Sequence, residues 1–376
     1  MLFVTGLMGI ILTGDLFNLY VFIEISSLSA YTLVAVGRKR EALIASYNYL
    51  ILGTIAATFI LIGIGYLYMM PGPLNIADLR EKLTVHYGSY VIGTAFAFFI
   101  VGISLKLAVF PLHIWLPNAY TYAPSIISAY LAAIATKVAA YLLLRFVFTL
   151  FGKDFAFNQI PLMEILVSLS LLAIIMGSSI AAFQKDLKLL FAYSSIGQIG
   201  YLGVGISFAS VTGLTGAIVH MFNHAVMKGG IFLAIGYLVY STGSSDLRTL
   251  NGIGRRMPYT MAAVVIGGLG LIGIPGTSGF VSKWYLVQAA LEADLWPVAI
   301  IILLGSLLAL IYVGRVIEAA YFQPVPEEDL FQRNAQWQMI VPIWLLISAS
   351  IYFGIHTDIT VRIAEKAAQL LVGLEP

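Results

Sequence analysis

Residues 89–111 read SYVIGTAFAFFIVGISLKLAVFP. This stretch is long and apolar enough to cross the hydrocarbon core of a bilayer as a helix, which needs roughly 20 residues. It carries one lysine, Lys106, and ends at Pro111, where the missing backbone N–H breaks a helix. Comparable apolar blocks recur along the whole chain. The sequence therefore predicts an all-α polytopic membrane protein.

The composition supports this fold class and excludes several functions. Of 376 residues, 60% are hydrophobic and 10% are charged, whereas soluble domains hold roughly 25% charged residues. The net charge of +2 is scattered along the chain, so we expect no nucleic-acid partner. Cysteine is absent, which rules out disulfides, thiolate metal sites and iron–sulfur ligation within this chain. No Walker motif or glycine-rich nucleotide loop occurs, so we expect no cofactor and no catalytic residues.

About eleven apolar spans of bilayer-crossing length are predicted. They cover residues 1–14, 16–36, 43–70, 89–111, 124–151, 161–182, 191–210, 212–241, 258–294, 296–322 and 338–360. Residues 1–360 are interpreted as a single membrane domain. The remaining segment, 361–376, places charged and polar residues on one helical face and is predicted to lie along the membrane interface.

Lysine and arginine in the loops predict the orientation, because cytoplasmic loops carry an excess of both. Loops after even-numbered spans contain Arg38, Lys39, Arg40, Lys185, Lys188, Arg248, Arg255, Arg256 and Arg333. Loops after odd-numbered spans, together with the tail, contain only Arg80, Lys82, Lys153, Arg362 and Lys366. We therefore expect the even-numbered loops in the cytoplasm of a prokaryotic cell, with the C-terminus outside its cell (inner) membrane.

Two helix breaks suggest an internal repeat. The fourth span is broken at Pro111 and the ninth at Pro275, and each is the fourth member of a five-helix set. The sets cover 1–151 and 161–322, with 338–360 as an additional helix. An odd number of spans per set inverts the second set relative to the first, which is the plan of many transporters. Two ordinary proline kinks are the alternative interpretation.

Several ionisable residues fall inside the spans, where a charge costs roughly 2.5–3.5 kcal/mol on insertion-type scales. They are Glu24, Lys106, Lys137, His220, His224, Lys228, Lys283, Arg315 and Glu318. Such residues must face the bundle interior, pair with one another or contact water. Burial disfavours a charged lysine and a nearby carboxylate favours it, so closely spaced groups of this kind can pass protons on. Apart from the last pair, these residues form the predicted translocation path.

Simpler explanations exist for some of these residues. Two histidines spaced four apart suit a metal, but no glutamate follows His220, so the zinc-protease pattern is absent and we predict no metal site. Arg315 and Glu318 are predicted to neutralise each other. Arg145 lies nearer a span end and is predicted to extend towards the interface.

Five segments of the chain resemble the antiporter-like subunits shared by Mrp-type cation/proton antiporters, the proton-pumping arm of respiratory complex I and membrane-bound hydrogenases. The matching segments are Gly14-Asp-Leu-Phe-Asn-Leu-Tyr-Val-Phe-Ile-Glu24-Ile, Lys106-Leu-Ala-Val-Phe-Pro-Leu-His-Ile-Trp-Leu-Pro-Asn118 with Ala123-Pro-Ser125 and Thr136-Lys-Val138, Gln184-Lys-Asp-Leu-Lys188 with Ala192-Tyr-Ser-Ser-Ile-Gly-Gln-Ile-Gly200, the His220/His224 stripe, and Gly273-Ile-Pro through Gly279-Phe-Val-Ser-Lys283. The resemblance covers essentially the whole chain in order, and the first segment is most similar to the D-type component of Mrp antiporters.

The resemblance implies a role for each buried group. Glu24 would pair with Lys106 and control its proton affinity. Lys137 and the stripe of His220, His224 and Lys228 would carry protons along a central hydrated axis. Lys283 would exchange protons with the opposite side. Because family members have about fourteen spans, the resemblance also implies that the N-terminal helices of the family are missing here.

The leading hypothesis is therefore a D-type component of an Mrp-type Na+/H+ antiporter. It would move H+ together with other membrane subunits in the lipid bilayer, and Na+ would pass through this chain or through a partner subunit. The nearest alternative is a proton-pumping component of a complex I-like NADH–quinone or hydrogenase complex, with the redox chemistry on other subunits. A third is a membrane scaffold in which the buried charges only lock helices together. An intramembrane hydrolase has no supporting nucleophile–base or metal motif.

Overall fold

The computed structural model describes residues 1–324 and 336–374. Within these ranges all regular elements are helices, as the sequence predicts. Nine helices of the described part are long and apolar enough to cross a membrane, and the shorter apolar helices Leu2–Leu12 and Pro258–Ile272 accompany them. Arg333, which contributes to the predicted orientation, and the last two residues of the predicted tail lie outside the described ranges.

The helices follow the predicted spans closely. They are α1 (Leu2–Leu12), α2 (Leu16–Ala35), α3 (Arg40–Met69), α4 (Ile76–Leu83), α5 (Tyr90–Leu107), α6 (Trp115–Tyr122), α7 (Ser125–Tyr130), α8 (Thr136–Leu144), α9 (Leu162–Phe183), α10 (Leu187–Ser207), α11 (Val211–Thr242), α12 (Ile253–Arg256), α13 (Pro258–Ile272), α14 (Ser278–Glu292), α15 (Trp296–Ile317), α16 (Trp337–Ile355) and α17 (Asp358–Val372). The sequence does not predict α4, α6 and α12 because they are short. π-Helical turns join α7 to α8 and extend α8, so that Ser125–Leu150 forms one span.

Helix starts are fixed by side chains that accept the otherwise unpaired N–H groups of the first turn. Asp15 accepts a hydrogen bond from the backbone N–H of Asn18 at the start of α2, at 2.9 Å. Asp186 accepts one from Leu189 at the start of α10, at 3.0 Å. The second of these caps starts α10 at Leu187, four residues before the predicted start of the span.

The two helix breaks have the same backbone geometry. The residue that follows α5, Ala108, has a left-handed φ of 61°, and the N–H of Val109 donates to the carbonyl of Ser104. α13 ends at Gly273, with φ of 88°, and the N–H of Ile274 bonds to the carbonyl of Leu269. Both are Schellman-type ends. Pro111 and Pro275 lie within the two interruptions, a few residues after the last residues of α5 and α13. Their role as the helix-breaking residues stays a prediction.

Asp15 and Asp186 also mark paired connections at the two ends of the bundle. Asp15 forms an isolated bridge with Asn75, and Asp186 forms one with Asp246. Successive membrane spans run in opposite directions, so the first bridge lies at one end of the bundle and the second at the other. The end that carries segments 36–39, 123–124, 184–186 and 243–257 is called the basic face below. This pairing is what inverted repeats require, and the boundaries 1–151 and 161–322 stay a prediction.

Two arginines repeat the same pattern. The guanidinium of Arg145 donates to the carbonyls of Ile10 and Thr13 at the end of α1. The guanidinium of Arg315 donates to the carbonyls of Ala182 and Gln184 at the end of α9. The prediction that Arg315 is neutralised by Glu318 is therefore wrong, because its guanidinium bonds to backbone carbonyls. That Arg145 extends towards the membrane interface stays a prediction. Each arginine satisfies carbonyls that a helix end leaves unpaired.

The C-terminal helix α17 begins at Asp358 and packs on the bundle. Its Ala364 and Ala368 are buried, and Ala364 contacts Val219 of α11 and Val281 of α14. Ile359, Ile363 and Leu370 are exposed on the opposite side. The predicted amphipathic tail thus forms a helix against the second half of the bundle.

Candidate functional site

Lys106 lies in the last turn of α5 and reaches across to α2. Its ammonium donates to Ser27 Oγ at 2.6 Å and to the Tyr31 hydroxyl at 3.3 Å. Glu24 precedes Ser27 by one helical turn on the same face of α2 and is close enough to attract the ammonium electrostatically. In the described part of the chain, no hydrogen bond or ion pair joins Glu24 to Lys106. The structure thus places the predicted pair within electrostatic range, while the direct hydrogen-bond partners of Lys106 are the two hydroxyl groups.

A cavity of about 40 Å³ adjoins Lys106, and apolar residues of α1, among them Phe3 and Leu7, form part of its wall. Ser26 and Ser27 of α2 line it on one side, and Ala135 and Val138 of the span that holds Lys137 line it on the other. A water molecule needs roughly 10–15 Å³ by this measure. The cavity therefore has room for a few waters beside Lys106.

Lys137 occupies the middle of its span and is only 7% exposed. Its ammonium donates to the Ala132 carbonyl at 2.5 Å and contacts Thr136 Oγ1 at 3.4 Å. Ala132 belongs to the π-helical turn Leu131–Ala135. A π turn changes the hydrogen-bonding register of the helix, and such turns are frequent at functional sites. This turn is what presents a carbonyl to the buried ammonium.

The stripe on α11 is completely buried, as His220, His224 and Lys228 are each 0% exposed. Lys228 donates to Ser194 Oγ at 2.5 Å and to the Phe191 carbonyl at 2.6 Å, both on α10. His220 Nδ1 lies 2.9 Å from Ser282 Oγ on α14. The two imidazole rings stack with centroids 5.7 Å apart. The predicted stripe is therefore one continuous row of basic groups between α10 and α14.

Lys283 lies on α14 and turns back onto the second helix break. Its ammonium donates to the carbonyls of Leu271 and Ile272 at 2.9 and 3.0 Å, and to Ser306 Oγ at 2.8 Å. It also lies 4.4 Å from the centre of the Tyr201 ring. The ammonium thus satisfies carbonyls that the end of α13 leaves without a helical partner.

Several polar atoms around the stripe are buried and have no hydrogen-bond partner among the residues that the structure describes. They are His220 Nε2, both ring nitrogens of His224, Gln198 Oε1 and Asn223 Oδ1. Buried polar atoms are nearly always hydrogen-bonded to protein or to ordered water. Their clustering therefore indicates water molecules along the row. Gln198 lies on the polar face of α10, in the motif Ala192–Gly200, for which the sequence alone predicts no role.

The ionisable groups of the row are all basic. Lys137 is close enough to His220, His224 and Lys228 for electrostatic interaction, and Lys283 is close enough to His220. Among the described residues, the charged groups that are buried are all lysines and histidines, with no carboxylate. Positive charges at these distances repel each other strongly in a medium of low dielectric constant. A proton on one member of the row therefore disfavours a proton on its neighbours.

Lys188 is a residue that sequence reasoning placed wrongly. The sequence predicts it in a loop, but the structure places it in the first turn of α10 with 6% of its surface exposed. Its ammonium donates to the Ala123 carbonyl at 3.2 Å. The signal for this position was the capping aspartate two residues earlier, which starts the helix before Lys188.

Known proteins resemble the chain over most of its length. The family model described as NADH:quinone oxidoreductase/Mrp antiporter, TM, matches residues 13–309. The NADH-quinone oxidoreductase subunit N of Desulforudis audaxviator (strain MP104C) is 41% identical over 365 residues, which cover 94% of this chain and 72% of that protein. The D component of the Na(+)/H(+) antiporter of Bacillus subtilis (strain 168) is 29% identical over 370 residues, which cover 98% and 74%.

Solved structures show the same fold. A chain of the membrane-bound sulfane sulfur reductase, an archaeal respiratory membrane complex, is 31% identical and superposes with a TM-score of 0.89 over 99% of this chain and 74% of its own length. A chain of the Mrp complex from Dietzia sp. DQ12-45-1b is 24% identical and has a TM-score of 0.89 over 99% and 77%. The fold is thus that of chains found in multi-subunit membrane complexes.

Proposed function

Because this chain belongs to the NADH:quinone oxidoreductase/Mrp antiporter membrane family, we propose that it translocates protons as one subunit of a multi-subunit membrane complex. The observation that carries the proposal is the buried row from Lys137 through the α11 stripe to Lys283, with its unpartnered ring nitrogens. Within residues 1–324 and 336–374 no carboxylate is buried beside these basic groups, and a membrane scaffold has no need of such an arrangement. A proton relay does need groups that exchange protons and influence each other's charge.

The proposed path begins at Glu24 and Lys106. The carboxylate of Glu24 attracts a proton to Lys106 Nζ. From Lys106 the proton moves through waters of the adjoining cavity to Lys137 Nζ. From Lys137 it passes over water to the ring nitrogens of His224 and His220. Ser282, which bonds to His220 and precedes Lys283 in the chain, provides the last step to Lys283 Nζ. Repulsion between neighbouring protonated groups favours the departure of the leading proton.

We place the chain in an Mrp-type Na+/H+ antiporter, as its D-type component. Support comes from the similarity to the D component of the Bacillus subtilis antiporter over 98% of this chain. The alternative is a proton-pumping component of a redox complex. It is favoured by the 41% identity to an NADH-quinone oxidoreductase subunit N. In either assembly the chain acts as a transporter subunit, and in the redox complex other subunits hold the redox centres.

The test is to purify the complex under mild conditions, identify its subunits and reconstitute it in vesicles that contain a pH-sensitive dye. An Mrp-type subunit will co-purify with antiporter subunits and exchange protons when a sodium gradient is imposed. A redox-complex subunit will co-purify with flavin or iron–sulfur proteins and acidify vesicles only when a substrate is oxidised. Intact complex that moves no protons under either condition contradicts the proposal.

We also propose that the basic face is cytoplasmic and that α17 lies on the outer side. The chain has no cysteine, so single variants such as Lys185→Cys and Lys82→Cys give it one thiol each. Both lysines are exposed. A membrane-impermeant thiol reagent applied to whole cells is expected to label the chain in Lys82→Cys only. Labelling of Lys185→Cys alone would reverse the orientation.

A further inference from the structure

The segment Gln184–Lys188 is a motif whose lysine the path above does not use. Lys188 is buried in the first turn of α10 at the basic face. A fully buried lysine is uncommon unless it is paired or takes part in function. The hydrogen-bond acceptor of its ammonium is a neutral group, the Ala123 carbonyl.

Lys188 connects the two halves of the bundle. Ala123 ends α6 and precedes Pro124, so its carbonyl lies at the turn that leads into the Lys137 span. The charged groups close enough to act on Lys188 are Asp186, at the start of its own helix, and Lys39, at the start of α3. One attracts a proton on Lys188 and the other repels it. Lys188 thus has charged neighbours from both halves of the chain.

The same helix leads from Lys188 to the buried row. Phe191 and Ser194, whose carbonyl and hydroxyl hold the Lys228 ammonium, follow Lys188 by one and two helical turns. At 1.5 Å of rise per residue, these positions are about 4.5 and 9 Å further along the axis. A short chain of water molecules spans such a distance. Lys188 therefore lies between the basic face and Lys228, along the axis of α10.

We propose that Lys188 is a further proton-carrying residue, through which protons pass between the basic face and Lys228. The proton leaves Lys188 Nζ for a water on the Lys228 side, and a proton from the aqueous phase at the basic face restores the ammonium. The inference rests on the proposed function, since it extends the same path. It gives the second half of the bundle its own connection to the basic face, independent of Lys106.

A structural tether between α10 and the end of α6 is the competing role, and three substitutions separate the two. Lys188→Gln removes the charge, Lys188→Arg keeps charge and donors but does not release a proton, and Lys188→His exchanges protons between about pH 5 and 8. Lys185→Gln is the matched control, because Lys185 lies on the same segment with an exposed side chain. Each variant complex is purified, its subunit content is measured, and proton transport is followed in vesicles from about pH 6 to 9.

A proton-carrying Lys188 predicts that Lys188→Gln and Lys188→Arg both lower transport about 10-fold or more in assembled complex. It also predicts that Lys188→His retains transport with an optimum shifted to lower pH, and that Lys185→Gln matches the parent. Wild-type transport in Lys188→Arg overturns the inference, as does wild-type transport in Lys188→Gln. If Lys188→Gln fails to assemble, the arginine and histidine variants decide.

Lys283→Gln, measured beside these variants, separates this inference from the proposed function. Transport that survives in both Lys283→Gln and Lys188→Arg contradicts the proposed function itself. Transport that is lost in Lys283→Gln but kept in Lys188→Arg contradicts only the role of Lys188.

Discussion

The two helix breaks have the same backbone geometry but place their lysines differently. Lys106 precedes its break and reaches away from it, to hydroxyl groups of α2 beside Glu24. Lys283 follows its break and turns back onto two carbonyls that the break exposes. The first lysine is thus influenced by a charge and the second by fixed dipoles. In both halves the backbone break therefore supplies a polar environment. The neighbouring side chains decide how tightly the lysine holds its proton.

The space around the two lysines differs in the same sense. A cavity of about 40 Å³ adjoins Lys106 and is lined on one side by Ala135 and Val138, which flank Lys137 in the chain. Lys283 is instead connected to the row through side chains, with Ser282 on His220 and the Tyr201 ring beside both Lys283 and His220. We therefore expect the first half to respond to changes in charge and hydration, and the second half to respond to the loss of individual contacts.

The largest effect is expected from Lys283→Gln. Glutamine cannot carry a proton and leaves the carbonyls of Leu271 and Ile272 without their ammonium. Proton transport by the assembled complex is expected to fall about 100-fold or more, the range that loss of a proton-transfer group produces. The measurement is proton flux into vesicles per mole of complex. Lys82→Gln, on an exposed lysine, is the control, and equal fluxes in the two variants would show that Lys283 carries no protons.

A smaller effect is expected from Glu24→Gln, because Ser27 and Tyr31 still hold Lys106. The loss of about 1.4 kcal/mol of charge–charge interaction corresponds to a roughly 10-fold lower transport rate. Glu24→Asp retains the charge and is expected to restore most of the rate. Proton flux is measured as before. A rate in Glu24→Gln as low as that in Lys283→Gln would remove the proposed difference between the two halves.

Filling the cavity beside Lys106 tests its hydration. Ala139 lines the cavity, and Ala139→Leu is expected to displace water without removing any ionisable group. A lost water bridge is worth roughly 1 kcal/mol, which is about a 5-fold lower transport rate. Ala97→Leu, at an exposed position of α5, controls for the added volume. An unchanged rate in Ala139→Leu, with assembly intact, would exclude water in this cavity from the path.

The sequence predicts the fold well because the signals are strong and local. Long apolar blocks and the chain breaks near Pro111 and Pro275 locate the helices to within a few residues. Lys137, Lys283 and the stripe on α11 are buried, as a charge in a bilayer has few alternatives, whereas Glu24 and Lys106 are half-buried. Their partners are not predictable in the same way. That Lys106 contacts hydroxyl groups and not Glu24 depends on the relative height of α2 and α5, which no local pattern records.

Two further features depend on tertiary structure. The π turn that offers the Ala132 carbonyl to Lys137 has no clear sequence signature. The buried position of Lys188 follows from the packing of α10 against α6, whereas its sequence context resembles an ordinary basic loop. Local sequence therefore predicts which ionisable residues lie inside the membrane spans. The packing of the helices decides which groups they contact there.

The smallest effect on transport is expected from the arginines that repeat in both halves. Arg145 and Arg315 each donate to two carbonyls at the end of another helix, and neither contacts the buried row. Arg145→Ala and Arg315→Ala are each expected to lower the stability of the chain by about 1.5–3 kcal/mol, since the guanidinium makes charge-assisted bonds. Thermal unfolding of the purified complex measures this loss, with Arg362→Ala, at an exposed position of α17, as the control. Transport per assembled complex is expected to stay within about 2-fold of the parent. A large loss of transport in only one of the two variants would show that this arginine, unlike its counterpart, participates in the path.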